Sequence, residues 1–84
     1  MKENWEISIL KCYKDLGGKA HNKDIYNKIK DYIQLTEEHL KIQYKRPAYH
    51  NQIRSHIRNL IEQGDLVKIE DGLHEITASG LGRL

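Results

Sequence analysis

Phenylalanine is absent from the 84 residues, cysteine and proline occur once each, and no apolar run exceeds a few residues. The lone Cys12 excludes an intramolecular disulfide, a CxxC redox pair and zinc sites that need two or four thiolates. Apolar runs this short fall far below the ~20 residues of a membrane-spanning helix, so no membrane contact is expected. Met1-Lys2-Glu3-Asn4-Trp5 has no apolar stretch of the signal-peptide kind, which points to the cytoplasm. There is no internal repeat and no low-complexity segment. What is present is a core former: Ile, Leu and Val number 21, a quarter of the chain, above the ~20% typical of disorder. At this size one domain is expected, 1–84, burying roughly 60–65% of its unfolded surface, with 1–4 and 81–84 loose.

One further absence is local. Residues 39–61 contain no acid, while Lys41, Lys45, Arg46, Arg54 and Arg58 give the segment +5. Residues 1–38 balance seven lysines against seven acids, and residues 62–84 carry −3, so the formal net charge of +2 conceals a segregation. An acid-free block of this length suits a polyanionic partner better than a merely solvated helix face does.

The pattern along the chain is helical first and hairpin last. Trp5, Ile9, Cys12, Tyr13 and Leu16 form one stripe of a helix over 5–16, with Ile7 and Leu10 off it as exposed apolars or half of a dimer seam. Gly17-Gly18 stops that helix, Lys19-Ala20-His21 is a short extended link, and Asn22 is expected to cap a second helix. Ile25, Ile29 and Ile33 are its core stripe. Thr36-Glu37-Glu38 starts a short third helix; His39 stands where a capping box has Glu, so half a box is expected. Residues 42–46 read as a basic link. Pro47 suits a first helical position, and Tyr49, Ile53, Ile57, Leu60 and Ile61 mark a helix over 47–63 that Gly64 closes. LVKIE and LHEIT then flank Asp71-Gly72, a strong hairpin signal. A simple two-residue turn places Val67, Ile69, His74 and Ile76 on one face and Lys68 opposite Glu75.

Three to four helices followed by a two-stranded hairpin is the order of a winged helix-turn-helix, mainly α with a small β-hairpin. In that fold the 47–63 helix is the reading helix, lying in the major groove. Its polar side is Asn51, Ser55, Arg58 and Glu62, flanked by Gln52, Arg54 and Asn59. Amides pair with adenine and Arg with guanine, so Asn51, Gln52, Ser55 and Arg58 are the expected base contacts. Lys45, Arg46 and Arg54 are the expected phosphate contacts, and Tyr44 is placed for base stacking if its segment faces the groove.

These residues also carry a resemblance. LTEEHL, the basic-aromatic link, the Tyr49-x-Asn51-x-Ile53-Arg54 start of the reading helix, Leu60-x-x-x-Gly64 and the closing Ile76-Thr77-x-x-Gly80 resemble the Mrr N-terminal winged-helix domain of restriction systems, over roughly 7–80. The stretch IRSHIRNLIEQGDLVKIEDG is also similar to the C-terminal winged helix of the DpnI restriction enzyme, which reads methylated adenine. The resemblance implies recognition of double-stranded DNA in a restriction or defence setting, methylated DNA included, with cleavage by a separate nuclease domain or subunit. Family wings tend to carry a basic residue before the glycine. Here Glu70-Asp71-Gly72 would repel phosphates, so the wing is expected to stay off them.

Other chemistry is weakly supported. Cys12 lies on a core stripe with no neighbouring base, which reads as a buried inert thiol. His56 reads as a packed, hydrogen-bonded residue. No two of the five histidines stand at i, i+4, and no glycine-rich phosphate loop is present, so neither metal nor cofactor is expected and the chain is not expected to be an enzyme. Two alternatives stay open: a protein-interaction module using the acidic wing, and a small transcriptional regulator acting as a homodimer.

Overall fold

A computed structural model describes residues 4–84. Helix α1 runs Trp5–Asp15, with the Asn4 side chain accepting from Ile7 N–H at 3.0 Å. Ile9, Leu10, Cys12 and Tyr13 are buried on it, whereas Leu16 is 38% exposed. Leu10, expected at the surface, is fully covered because α1 is packed from more than one side and its buried arc is wider than a single stripe. A dimer seam on Leu10 is thereby removed. Gly17 and Gly18, at φ +91° and +94°, then turn the chain, their N–H groups donating to Lys14 and Tyr13 carbonyls.

The expected link 19–21 is a strand, β1 (Lys19–His21). Helix α2 spans Asn22–Lys28 and tightens into a 3-10 turn over Ile29–Asp31. His21, not Asn22, is its N-cap, and no side chain caps it. Asn22 is already helical, and its N–H donates to the Gly72 carbonyl at 2.8 Å, tying α2 to the later hairpin. Ile25, Ile29 and Ile33 are buried as their spacing predicts.

Helix α3 (Glu37–Leu40) carries a complete capping box rather than half of one. Thr36 Oγ1 accepts from His39 N–H at 3.4 Å, and His39 Nδ1 accepts from Thr36 N–H at 3.0 Å. The imidazole Nδ1 supplies the acceptor that Glu usually provides. The expected basic link is a miniature hairpin, β2 (Ile42–Gln43) paired with β3 (Arg46–Pro47). Pro47 is the N-cap of α4 (Ala48–Glu62) rather than its first residue. Tyr49, Ile53, Ile57 and Leu60 are buried on α4, and Gly64 at φ +83° ends it.

The wing is β4 (Leu66–Glu70) and β5 (Leu73–Ile76), and β1 pairs with β5 to complete a three-stranded antiparallel sheet in the order β1-β5-β4. Its register departs from the simple hairpin. Glu70 faces Leu73, but a bulge at Ile69 places Lys68 opposite His74 and Val67 opposite Glu75. The extra residue inverts the side of β4 relative to expectation, so Val67 and Ile69 are 44% and 47% exposed while Leu66, His74 and Ile76 are buried. Lys68 pairs with Asp71 at 2.9 Å.

The tail, too, forms regular structure. Thr77 caps a fifth helix, α5 (Ala78–Gly82), and Arg83 is held by Asp65. At the other end expected to be loose, Asn4 caps α1, and residues 1–3 lie outside the described residues. The whole is a mainly helical winged-helix fold with short antiparallel sheets around one core. Among the described residues no helix is long and apolar enough to cross a membrane.

Candidate nucleic-acid interface

The buried stripe of α4 fixes which of its side chains face solvent. Positions 51, 54, 55 and 58 follow i, i+3, i+4, i+7, so they share the side opposite Ile53, Ile57 and Leu60. There Asn51, Arg54, Ser55 and Arg58 line an open hollow of about 210 Å³. Three of the four expected base-contacting residues are thus together, joined by Arg54 from the expected phosphate set. Gln52 is half-buried and outside the hollow.

Asn51 has a structural partner: its Nδ2 donates to the Gln43 carbonyl at 3.2 Å, leaving Oδ1 as the atom free of that bond. Lys45 and Arg46 are exposed on the β2–β3 hairpin before α4. Arg46 is close enough to hydrogen-bond the Tyr26 hydroxyl. Burial raises the Tyr26 pKa, and Arg54 and Arg46 act against that rise. Tyr44 is 84% exposed at the hairpin tip.

Aromatic packing holds α4 at its angle to the earlier helices. His50 stacks on Tyr26 of α2, centroids 4.0 Å and planes 11° apart. Burial lowers the His50 pKa, and Arg46 and Lys30 add to the effect, so the neutral ring is favoured. His56 lies parallel to Trp5 at 6.2 Å, and its Nδ1 is 3.3 Å from Glu6 Oε2. Both histidines are therefore packing residues of the helix-turn-helix.

A second groove, about 570 Å³, runs between α4 and the wing. Arg54, Arg58 and Lys68 line it together with Glu62 and Asp71. His74 and Asn22 also contribute, and His74 Nδ1 and Asn22 Oδ1 are buried without a hydrogen-bond partner among the described residues. Sequence reasoning missed Lys68 and His74 as neighbours of α4, because their placement depends on the Ile69 bulge. The described residues hold no group of three or more metal-ligating side chains.

Fold and helix face together define a winged-helix domain whose central helix presents amides, a hydroxyl and guanidinium groups to solvent. The family is more specific. The model of the Mrr N-terminal domain matches residues 3–84, and the chain belongs to that family, a domain of restriction-system proteins. The 84 residues hold this domain and no catalytic domain. No curated protein and no solved structure matches the chain.

Proposed function

We propose that this domain binds double-stranded DNA in a restriction or defence setting, with α4 in the major groove. The observation that carries this is the acid-free run 39–61, in which Asn51, Arg54, Ser55 and Arg58 line one open side of α4 while Lys41, Lys45 and Arg46 lie just before it. Asn51, Ser55 and Arg58 meet base edges, with Gln52 at the margin, while Lys45, Arg46 and Arg54 meet phosphates. The acidic wing tip stays off the backbone, since Lys68 is engaged by Asp71 and Glu70 stands beside it. Methylated bases are the targets that the family context favours, with cutting done by a nuclease domain or subunit. The test is binding to duplexes with and without methyladenine and methylcytosine at two salt concentrations. Salt-dependent affinity with a preference among them supports the proposal, and absence of salt-dependent binding refutes it.

A protein-interaction role has one observation in its favour: Val67 and Ile69 are exposed on the edge strand β4, beside Glu70 and Asp71. Neutralising Glu70, Asp71 and Glu75 would then abolish function, whereas neutralising the 41–58 cations would not.

A further inference from the structure

The β2–β3 hairpin is built against its own backbone preferences. Its two-residue turn is Tyr44-Lys45, with both residues at positive φ, +54° and +69°. Such turns favour Asn-Gly, because a Cβ crowds the following carbonyl in the left-handed region. The ring placed there is also, among the described residues, the most exposed large hydrophobic, at 84%, and Ile42 beside it is 71% exposed. Neither Tyr44 nor Lys45 makes a side-chain hydrogen bond, ion pair or ring contact among the described residues.

The hairpin is nonetheless held firmly. Ala48 N–H donates to the Lys41 carbonyl at 2.7 Å across its base, and Asn51 Nδ2 donates to the Gln43 carbonyl at 3.2 Å. His39, just before it, packs edge-on against Trp5 at 5.2 Å. A strained, stiff turn thus presents a bare aromatic ring at the start of α4. Strain and exposure of this kind cost stability in the isolated molecule and persist where a partner uses them.

Charge identifies the partner. The hairpin and its flanks carry Lys41, Lys45 and Arg46 with no acid between 39 and 61, whereas the later wing carries Glu70, Asp71 and Glu75 around one lysine. The two hairpins have exchanged the charges that a DNA-gripping wing needs. We infer that the 42–47 hairpin is the gripping wing of this molecule on duplex DNA. Lys45 meets phosphate, and the Tyr44 ring packs on a sugar or base face beside the region read by α4. This rests on the DNA-binding reading above and extends the contact beyond the helix.

The test uses the full chain and three variants: Tyr44→Phe, Tyr44→Asn, and Tyr44→Asn combined with Lys45→Gly. Each is titrated against a fluorescent duplex at two salt concentrations, melted thermally and sedimented. Tyr44→Phe is expected to keep its affinity. Tyr44→Asn should lose about tenfold with an unchanged salt slope, because the lost contact is neutral. The Asn-Gly pair, freed of strain, should melt higher yet bind more weakly. Wild-type affinity in Tyr44→Asn, with Arg58→Ala impaired, would overturn the hairpin proposal and leave the DNA reading standing. No salt-dependent binding by the unaltered chain would overturn both. A self-association that Tyr44→Asn abolishes, DNA affinity being unchanged, would assign the ring to a second copy of the chain and equally overturn the proposal.

Discussion

Arg83 Nη1 donates to Asp65 Oδ2 at 2.5 Å, joining the last turn of the chain to the residue just before β4. The same guanidinium lies 3.8 Å from Glu6 on α1. The Asp65 side chain is only 7% exposed, so its carboxylate depends on this partner. Arg83→Ala is therefore expected to destabilise the fold by about 1–3 kcal/mol, less than for a fully buried pair because Arg83 is partly solvated. In urea unfolding the midpoint should fall with the slope unchanged. An unaltered midpoint would show that the Arg83–Asp65 pair contributes nothing to stability.

Gly80 makes the tail's second attachment. A Cβ there would collide with the Asp65 carbonyl oxygen, and it would lie 2.7 Å from Ile76 Cγ1. Backbone cannot move aside as a flexible side chain does, so Gly80→Ala should cost about 1–3 kcal/mol. Gly82→Ala, which meets nothing within 4 Å, is the matched control. Thermal melts of the two should separate clearly.

The buried imidazole of His74 predicts acid sensitivity. Burial lowers its pKa, the Lys68 charge adds to that, and His50 is lowered as well. The unfolded chain takes up protons at these rings near the ordinary value of 6.5, while the folded chain resists until lower pH. Protons thus favour the unfolded state, so these groups' stability is intact above pH 6.5. It is lost as the pH falls from there through the lowered native values. His74→Leu should flatten this acid limb in denaturation measured from pH 7.5 down to about 4. A limb of unchanged steepness would assign the sensitivity elsewhere.

Arg58 and Lys45 should fail differently in DNA titrations. Arg58→Ala is expected to cost about 1–3 kcal/mol on a preferred duplex and to relax discrimination at one base pair. Lys45→Ala should weaken all duplexes alike and reduce the salt slope by about one unit. Equal losses from charge reversals within 62–84 would contradict this division.

Cys12 should be inert in the folded chain. It is fully buried, and burial, reinforced by Asp15, pushes its thiol up to about 12, so almost no thiolate exists at pH 8. A thiol-disulfide reagent should label it only on unfolding. Rapid native labelling would reveal opening between α1 and its neighbours.

Much of the molecule was legible because the signals are local. Gly17-Gly18, Gly64 and Gly72 stand where the chain adopts φ values that other side chains resist, and they mark the turns after α1, α4 and β4. The Ile25, Ile29, Ile33 and Tyr49, Ile53, Ile57 spacings identify buried stripes because helical geometry repeats every 3.6 residues. The same periodicity placed Asn51, Ser55 and Arg58 on one side of α4. Gln52, on the flank of that side, joined the expected base contacts through its amide chemistry, and it lies outside the hollow that the other three line.

Other features needed the folded chain. Lys19-Ala20-His21 has too few residues for any periodicity and becomes a strand only because β5 offers it an edge. Nothing in LVKIE announces the bulge at Ile69, which turns Val67 outward and brings Lys68 to His74.

The amino-acid sequence by itself determined the winged-helix order, the amphipathic helix α4 and the acid-free block, all properties of neighbouring residues and of helical repeat. Tertiary structure alone decided that Leu10 is core, that Arg83 and Gly80 lock the tail, and that Tyr44-Lys45 form a left-handed turn beside α4. Each of these depends on contacts between segments distant in the chain, or on hydrogen bonds that outweigh a local preference. Their signals are therefore absent from any short window of sequence.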